Sequence, residues 1–210
     1  MPALAERHDV DVHTVPARPG RDAVDGLFDT LTGRRLVVIG TDADLAAVVL
    51  RVLRTERLAE VALGYVPVSR ESEAAVTWGL PADAGRALDV ALGGEPDRVP
   101  LIRDDVGGVL VGLGIIGPAR GVAYCDDNQV LRGPAKAIRV SPDMRGAGLE
   151  VTVAHRGLLN RRDKATLGRS FEIGCVPTRV VRDGVPHERP AKRWVWYRHT
   201  EDLRLVRGLG

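Results

Sequence analysis

Polar residues directly follow a buried-strand pattern near the start of the chain. The apolar run 36–39 leads into Gly40, Thr41 and Asp42, and the apolar helical pattern 45–53 follows. A strand that ends at a helix N-terminus is where α/β proteins bind phosphate, because free N–H groups and the helix dipole point at the ligand. The spacing therefore indicates either a phosphate-binding turn or an ordinary capped strand–helix turn.

The composition of this turn bears on both interpretations. Phosphate loops use glycine where the backbone must approach the oxygens closely, and here Thr41, Ala43 and Asp44 accompany the single Gly40. Asp44 is placed to serve as the helix N-cap. Its carboxylate would also compete with a phosphate for the positive end of the helix dipole. Both interpretations stay open on local sequence.

A second polar segment follows the apolar run 61–68. It contains Ser69, Glu71, Ser72 and Glu73. A polar loop at the C-terminal edge of a sheet is well placed to contact a ligand. The alternative is a helix start, with Ser69 or Ser72 as the cap and the glutamates in the first turn.

Three later patterns have structural explanations. Residues 112–117 match Gly-x-Gly-x-x-Gly, but that pattern signals dinucleotide binding only between a strand and a helix, and another strand-like run follows here. Asp183 and Gly184 lie between two strand-like runs, which predicts a tight hairpin. Trp194 and Trp196 share one face of a strand, which predicts core positions. Their basic neighbours also resemble single-strand nucleic-acid binders, although we expect no nucleic-acid partner.

Strand and helix patterns alternate in the first part of the chain. They predict strands over 8–15, 36–39 and 61–68 and helices over 22–31, 45–53, 71–78 and 83–92. Such alternation is typical of a parallel sheet with crossovers. After residue 94 the segments are short and β-rich, which predicts an antiparallel sandwich or barrel-like unit. We therefore expect two domains, an α/β nucleotide-binding-like domain over 1–94 and a β-rich domain over 95–210.

The composition excludes several classes of protein. The chain has 210 residues and a net charge of +2, which is too small to indicate nucleic acid or an anionic membrane by itself. Cys125 and Cys175 lack metal-ligand spacing, and no apolar run approaches membrane-spanning length. The histidines are scattered, which argues against a nucleophilic hydrolase. We expect a cytoplasmic protein with at most peripheral membrane contact, and a homo-oligomer is compatible with the sequence.

Taken together, these segments resemble the bacterial diacylglycerol kinase and lipid kinase family, whose ATP-site design is shared with NAD kinases. In that family a strand ends in Gly-Gly-Asp-Gly-Thr, and Gly40 and Asp42 fall on the first glycine and the aspartate. A family loop close to Ile-Pro-Leu-Gly-Thr-Gly-Asn-Asp-Phe-Ala-Arg aligns with residues 66–76. Asp183 and Gly184 match the start of the family's Asp-Gly-Glu, and Glu150 matches the final acid of Asp-Gly-x-Leu-Asp. The family's N-terminal strand has no counterpart here.

The resemblance implies a set of site residues and two cofactors, ATP and Mg²⁺. The implied cofactor-binding residues are Gly40, Thr41, Asp42, Ser69, Ser72 and Glu73; the metal-binding residues are Asp42 and Asp183; the catalytic residues are Asp183 and Glu150.

The resemblance also implies a fold and an activity. The fold would be a Rossmann-like N-terminal domain with a parallel sheet, followed by an antiparallel β-sandwich-like C-terminal domain and separated from it by a cleft. The family activity is transfer of the ATP γ-phosphoryl group to a lipid hydroxyl. Because side chains replace the loop glycines, we expect this activity to be weak or lost. The alternative is a non-catalytic module that binds a lipid, a small molecule or a protein in the cleft.

Overall fold

The computed structural model of the chain describes residues 9–155 and 165–208. The helices within these residues are α1 (Arg21–Phe28), α2 (Asp42–Arg54), α3 (Glu73–Trp78) and α4 (Ala84–Gly93). The first eight strands are β1 (Leu36–Gly40), β2 (Ala62–Pro67), β3 (Pro96–Val99), β4 (Ile102–Asp104), β5 (Val109–Leu110), β6 (Gly114–Ile116), β7 (Ala119–Cys125) and β8 (Asn128–Ala135). The others are β9 (Ala137–Asp143), β10 (Gly148–Ala154), β11 (Ala165–Gly168), β12 (Ser170–Thr178), β13 (Val180–Arg182), β14 (Val185–Pro186), β15 (Ala191–Arg198) and β16 (Leu203–Val206).

A four-stranded mixed sheet carries the first part of the chain. Its order is β1-β2-β16-β3, with β1, β2 and β16 parallel and β3 antiparallel to β16. Every residue of β2 is buried, since helices cover both of its faces. Helix α2 turns Leu45, Val48, Val49 and Val52 towards one face, at the spacing of one helical stripe.

Helix α4 packs closely on the opposite face of this sheet. A Cβ atom on Gly64 of β2 would lie 2.8 Å from the Ala91 Cβ atom of α4, so the absence of a side chain allows the close approach. Ala87, Ala91 and Val66 form the buried cluster on this side. The sheet therefore lies between two helical layers, and the carboxyl ends of β1 and β2 meet at one edge.

The rest of the described chain forms two six-stranded antiparallel sheets. Their orders are β11-β10-β9-β6-β13-β14 and β5-β4-β15-β12-β7-β8. Side chains from both sheets meet in one buried cluster, in which Trp194, Trp196 and Phe171 of one sheet join Ile138 and Val140 of the other. The predicted core positions of the two tryptophans are confirmed, at 1% and 0% exposure.

The sequence predictions agree with this architecture in outline. A mixed sheet is followed by antiparallel sheets, and no helix forms between residues 95 and 155 or between 165 and 208. The division at 94 and 95 stays a prediction, although the first sheet takes β3 and β16 from beyond it. The strand predicted over 8–15 is wrong for residues 9–15, which pair with no strand. Residue 8 lies outside the described residues.

None of the helices in the described ranges is long and apolar enough to cross a membrane.

Candidate functional site

The turn between β1 and α2 is closed by a capping box. Thr41 is the N-cap, and its Oγ1 accepts a hydrogen bond from the Asp44 N–H group at 3.3 Å. The Asp44 Oδ2 atom accepts one in return from the Thr41 N–H group at 2.8 Å. The predicted N-cap, Asp44, is therefore wrong: the helix begins three residues earlier, and Asp44 is its third residue. Reciprocal bonds of this kind satisfy the free N–H groups of a helix N-terminus.

The Asp44 carboxylate fills the space beside Gly40. A Cβ atom on Gly40 would lie 2.8 Å from Asp44 Oδ2, so glycine here makes room for the carboxylate. The other oxygen, Oδ1, accepts a hydrogen bond from the Arg18 N–H group at 2.7 Å. Hydrogen bonds from Arg18 and Thr41 hold the pKa of Asp44 below its usual value, although burial opposes them. An anionic group of the chain itself thus lies at the N-terminus of α2, where the helix dipole favours negative charge.

Asp42 connects the two neighbouring strand–helix turns. Its Oδ1 atom accepts hydrogen bonds from the Tyr65 hydroxyl at 2.8 Å and from the Ser72 hydroxyl at 2.5 Å. Its Oδ2 atom accepts one from the Ala74 N–H group at 3.1 Å. Ser72 in turn is the N-cap of α3 and accepts from the Ala75 N–H group at 2.9 Å. Side chains of the chain therefore also take up the N–H groups at the start of α3.

Tyr65 was not among the residues predicted for the site. It lies on β2 and is 1% exposed, and burial raises the pKa of its hydroxyl. A tyrosine inside an otherwise apolar buried run is the signal that could have identified it, because a buried hydroxyl needs a hydrogen-bond partner. That partner is Asp42, which lies directly after β1, the parallel neighbour of β2.

The remaining loop residues lie near this network but do not bind Asp42. Ser69 is exposed, and its Oγ atom accepts from the Glu71 N–H group at 3.1 Å. Glu73, the first residue of α3, accepts from the Arg139 guanidinium of β9 at 3.1 Å. The ion pair is about half exposed at both side chains, so its contribution to stability is small. It nevertheless connects α3 with one of the antiparallel sheets.

Asp183 occupies the predicted hairpin turn between β13 and β14. Arg182 pairs with Val185 in the register, and both Asp183 and Gly184 have positive φ, at 46° and 81°. These are the backbone angles of a type I′ hairpin. The hairpin prediction is confirmed.

The Asp183 carboxylate binds three backbone N–H groups of a neighbouring segment. Oδ1 accepts from Gly112 at 2.7 Å and from Leu113 at 3.1 Å, and Oδ2 accepts from Val111 at 3.1 Å. Asp183 is 7% exposed. Burial raises the pKa of Asp183 to about 7, and the negative charge of Asp42 adds to the shift, although the three N–H groups oppose it.

Gly112 is the point of contact between the two acidic sites. A Cβ atom on Gly112 would lie 2.7 Å from the Ala74 nitrogen, so glycine is needed where this segment meets the start of α3. Asp42 binds the Ala74 N–H group from one side, and Asp183 binds the Gly112 N–H group from the other. The structure thus brings Asp42, Ser72 and Asp183 together where the mixed sheet meets the antiparallel sheets. We call this contact region, which also includes Ala74 and Gly112, the seam.

Glu150 lies in a different cluster. It is on β10, and its carboxylate pairs with Arg145, which also binds Asp143 at 2.7 Å. Within the described residues, no hydrogen bond or ion pair of this cluster joins it to Asp42 or Asp183. The structure therefore does not bring Glu150 into the hydrogen-bonded network at the seam.

The side chains at the seam fit Mg²⁺ and ATP poorly. Asp42 and Asp183 each accept three hydrogen bonds, so little of either carboxylate is free to bind an ion. In the described ranges, no group of three or more His, Cys, Asp or Glu side chains is arranged to hold a metal. The N–H groups of Thr41, Ala74 and Ala75, at the starts of α2 and α3, are already bonded to Asp44, Asp42 and Ser72.

The raised pKa of Asp183 makes the stability of the fold depend on pH. Because the folded pKa of about 7 exceeds the ordinary 3.8, the folded chain holds this proton more tightly. The resulting stabilisation is complete below 3.8 and is lost as the pH rises to about 7. Asp183→Asn cannot ionise, so we expect the wild-type free energy of unfolding to fall relative to this variant by up to about 1.4 kcal/mol per pH unit in that window.

Urea denaturation of both proteins at several pH values measures this difference. A difference that stays flat across the window, or that rises with pH, would contradict the assignment of a raised pKa to Asp183.

Comparison with known proteins gives matches to solved structures. No protein-family model and no curated protein sequence matches the chain. A diacylglycerol kinase from Bacillus anthracis str. Sterne is 14% identical, with 93% of this chain and 84% of that chain covered and a TM-score of 0.66. An NAD kinase from Archaeoglobus fulgidus in complex with ATP is 10% identical, with 82% and 77% covered and a TM-score of 0.51.

A third similar structure is yeast NADH kinase complexed with NADH. It is 11% identical, with 83% of this chain and 61% of that chain covered and a TM-score of 0.54. At these identities the similarity concerns the fold and not the chemistry of the site. The resemblance inferred from sequence is confirmed at this level: the chain has a fold similar to that of diacylglycerol kinases and NAD kinases.

Proposed function

We propose that this chain is a lipid-kinase-like protein whose phosphoryl transfer is weak or lost. One observation supports the proposal: the chain's own side chains accept hydrogen bonds from N–H groups at the starts of α2 and α3, where the family resemblance would place the phosphates. Asp44 lies against Gly40, and Asp42 and Ser72 bind the N–H groups at the start of α3. Phosphoryl transfer depends on positioning and on electrostatic stabilisation of the polyanion. A carboxylate at the phosphate position opposes both.

The proposal extends to the organisation of the chain. The mixed sheet with its helices corresponds to a Rossmann-like domain, and the two antiparallel sheets with their shared core correspond to a β-sandwich-like domain. The seam at Gly112 then lies where an inter-domain cleft would. A cytoplasmic location belongs to the same proposal.

We expect purified protein to form no phosphatidic acid from diacylglycerol and Mg-ATP above the level of an enzyme-free blank. The reason is that ATP must displace two carboxylates of the chain before its phosphates reach backbone N–H groups. Transfer of radiolabel from the ATP γ-position to lipid in detergent micelles measures this. An active diacylglycerol kinase assayed in parallel is the control.

Phosphatidic acid formed at turnover numbers typical of kinases, on the order of 1 s⁻¹ or more, would show that the proposal is wrong.

The alternative function is a non-catalytic module that binds a ligand or a partner at the seam. The observation that favours it is the exposure of two valines beside the site, 63% for Val68 and 74% for Val76. Exposed apolar side chains next to a polar seam are typical of contact surfaces. This function predicts a rise in melting temperature with lipid or nucleotide in the absence of turnover.

A further inference from the structure

The β5-β4-β15-β12-β7-β8 sheet has an inner face in the core and an outer face that is open. Within it, Arg193 pairs with Gly174, Gly174 with Val122, and Val122 with Arg132, so these residues form one row across four strands. Adjacent strands lie about 4.8 Å apart, so the row is roughly 14 Å long. Arg193, Gly174, Val122 and Arg132 are all exposed. We define the outer basic face as Arg120, Val122, Arg132, Val176 and Arg193.

In the part of the chain that the structure describes, the three arginines of the outer basic face have no carboxylate partner. Within residues 9–155 and 165–208, no ion pair involves Arg120, Arg132 or Arg193. Glu172 lies in the next row, between Val195 and Tyr124, so the arginines outnumber the nearby acid. Elsewhere on this molecule many guanidiniums are paired, for example Arg51 with Asp25 at 2.6 Å. Asp105, whose carboxylate accepts a hydrogen bond from the Val195 N–H group, is a second acid beside Glu172, so the three arginines give the face a net positive charge.

Apolar side chains lie between and beside these charges. Val176 is 61% exposed, Val122 38% and Tyr124 36%. At one end of the face, a hollow of about 240 Å³ is lined by Pro118, Pro134, Val176 and Pro177, with Arg120 among its other lining residues. Three prolines make the walls of the hollow rigid, because each fixes its own φ angle.

We propose that the outer basic face docks on the surface of an anionic lipid bilayer. The exposed row across four strands can lie against a bilayer surface, the guanidiniums are complementary to anionic headgroups, and exposed valines can enter the region between headgroups and acyl chains. A second copy of the chain fits poorly, because a two-fold contact through this face would oppose arginine to arginine. A nucleic-acid strand also fits poorly, since Trp194 and Trp196 are turned into the core and leave no broad stacking platform.

This inference does not depend on whether phosphoryl transfer is lost, because it uses a different surface from the seam at Gly112.

Cosedimentation with lipid vesicles tests the docking. We expect the protein to bind vesicles of phosphatidylglycerol and phosphatidylcholine in equal parts, to bind phosphatidylcholine vesicles weakly, and to lose the difference at high salt. Each basic residue near an anionic surface strengthens binding about fivefold, so Arg120→Gln/Arg132→Gln/Arg193→Gln should bind roughly a hundredfold more weakly. Val176→Asp should also weaken binding, because it places a carboxylate against the headgroups.

The matched control removes the same charge elsewhere. Arg21, Arg86 and Arg98 are exposed and lie on α1, α4 and β3, so Arg21→Gln/Arg86→Gln/Arg98→Gln should reduce binding by much less than the triple substitution on the face. If both triple variants lose vesicle binding equally, binding depends on net charge and not on this face, and the proposal is overturned. Equal binding to both vesicle types, or complete displacement from vesicles by a single-stranded oligonucleotide at equimolar nucleotide, would overturn it as well. Circular dichroism confirms that every variant is folded.

Discussion

Asp183→Ala is expected to destabilise the fold by about 3–6 kcal/mol, a large part of the stability of a typical domain. The substitution leaves the N–H groups of Val111, Gly112 and Leu113 without their acceptor. Each buried donor that loses its partner costs about 1–3 kcal/mol. Urea denaturation at a pH below the Asp183 pKa of about 7, where the stabilisation by this residue is retained, measures the free energy of unfolding. We expect the midpoint to shift far below that of the wild type.

Asp126→Ala is the matched control for this substitution. Asp126 also has positive φ, at 48° against 46° for Asp183, so alanine meets similar backbone strain at both positions. Its carboxylate likewise accepts hydrogen bonds from backbone N–H groups, those of Arg169 and Ser170, but it is exposed, and water can replace it. The difference between the two variants, about 2–4 kcal/mol, isolates the effect of burial. Equal destabilisation of both would contradict the structural role given to Asp183.

This role changes how Asp183 relates to the family pattern. Its position in an Asp-Gly pair suggested a catalytic and metal-binding acid. In the structure the same carboxylate holds the segment 111–113 against the start of α3. It does so by accepting three hydrogen bonds from backbone N–H groups of that segment. The structure therefore gives Asp183 a structural reason for its position that is independent of any chemistry. The catalytic role assigned from the resemblance stays a prediction.

The strand–turn–helix at Gly40 was predictable because burial leaves a periodic apolar pattern. The exact helix start was not, since Thr41 and Asp44 are both good cap residues and the local sequence does not decide between them. The structure decides through the reciprocal bonds of the capping box. Asp44 is accordingly the third residue of α2 and not its cap, and its carboxylate lies beside Gly40.

The sequence patterns did not predict contacts between segments that are far apart in the chain. Strand β16 has the composition of many short strands, and nothing in it indicates that it pairs with β2 in the first sheet. The Gly112 pattern was correctly separated from dinucleotide binding, but the reason for this glycine is the backbone of Ala74, about 40 positions earlier in the chain. Such contacts depend on how the sheets are assembled, which no local period encodes.

The seam also has an electrostatic consequence. Asp42 and Asp183 are close enough for the charge of Asp42 to raise the pKa of Asp183. Two carboxylates that face each other across a seam would normally attract a cation or separate. Here hydrogen-bond donors surround each acid and hold it in place. Hydrogen bonds from the chain itself therefore stabilise both acids at the seam.

Asp42→Ala is expected to destabilise the chain by about 2–4 kcal/mol. The substitution removes the acceptor for the Ser72 hydroxyl and the Ala74 N–H group, and it leaves the Tyr65 hydroxyl with the Gly40 carbonyl at 3.2 Å as its remaining partner. Because Asp42 joins the turns at both helix starts, we expect α3 to open more readily. Hydrogen exchange of the α3 amides, together with urea denaturation, measures both effects.

Asp44→Ala is the control, because Asp44 lies in the same first turn of α2 but binds residues of the N-terminal segment and of its own turn. Loss of this capping interaction should cost about 0.5–2 kcal/mol and leave the exchange of α3 amides nearly unchanged. If Asp44→Ala accelerates exchange in α3 as much as Asp42→Ala does, the two acids act through α2 alone. The connection of β1, β2 and α3 through Asp42 would then be wrong. If exchange increases in the Asp42 variant and not in the Asp44 variant, Asp42 is the residue that couples the two turns.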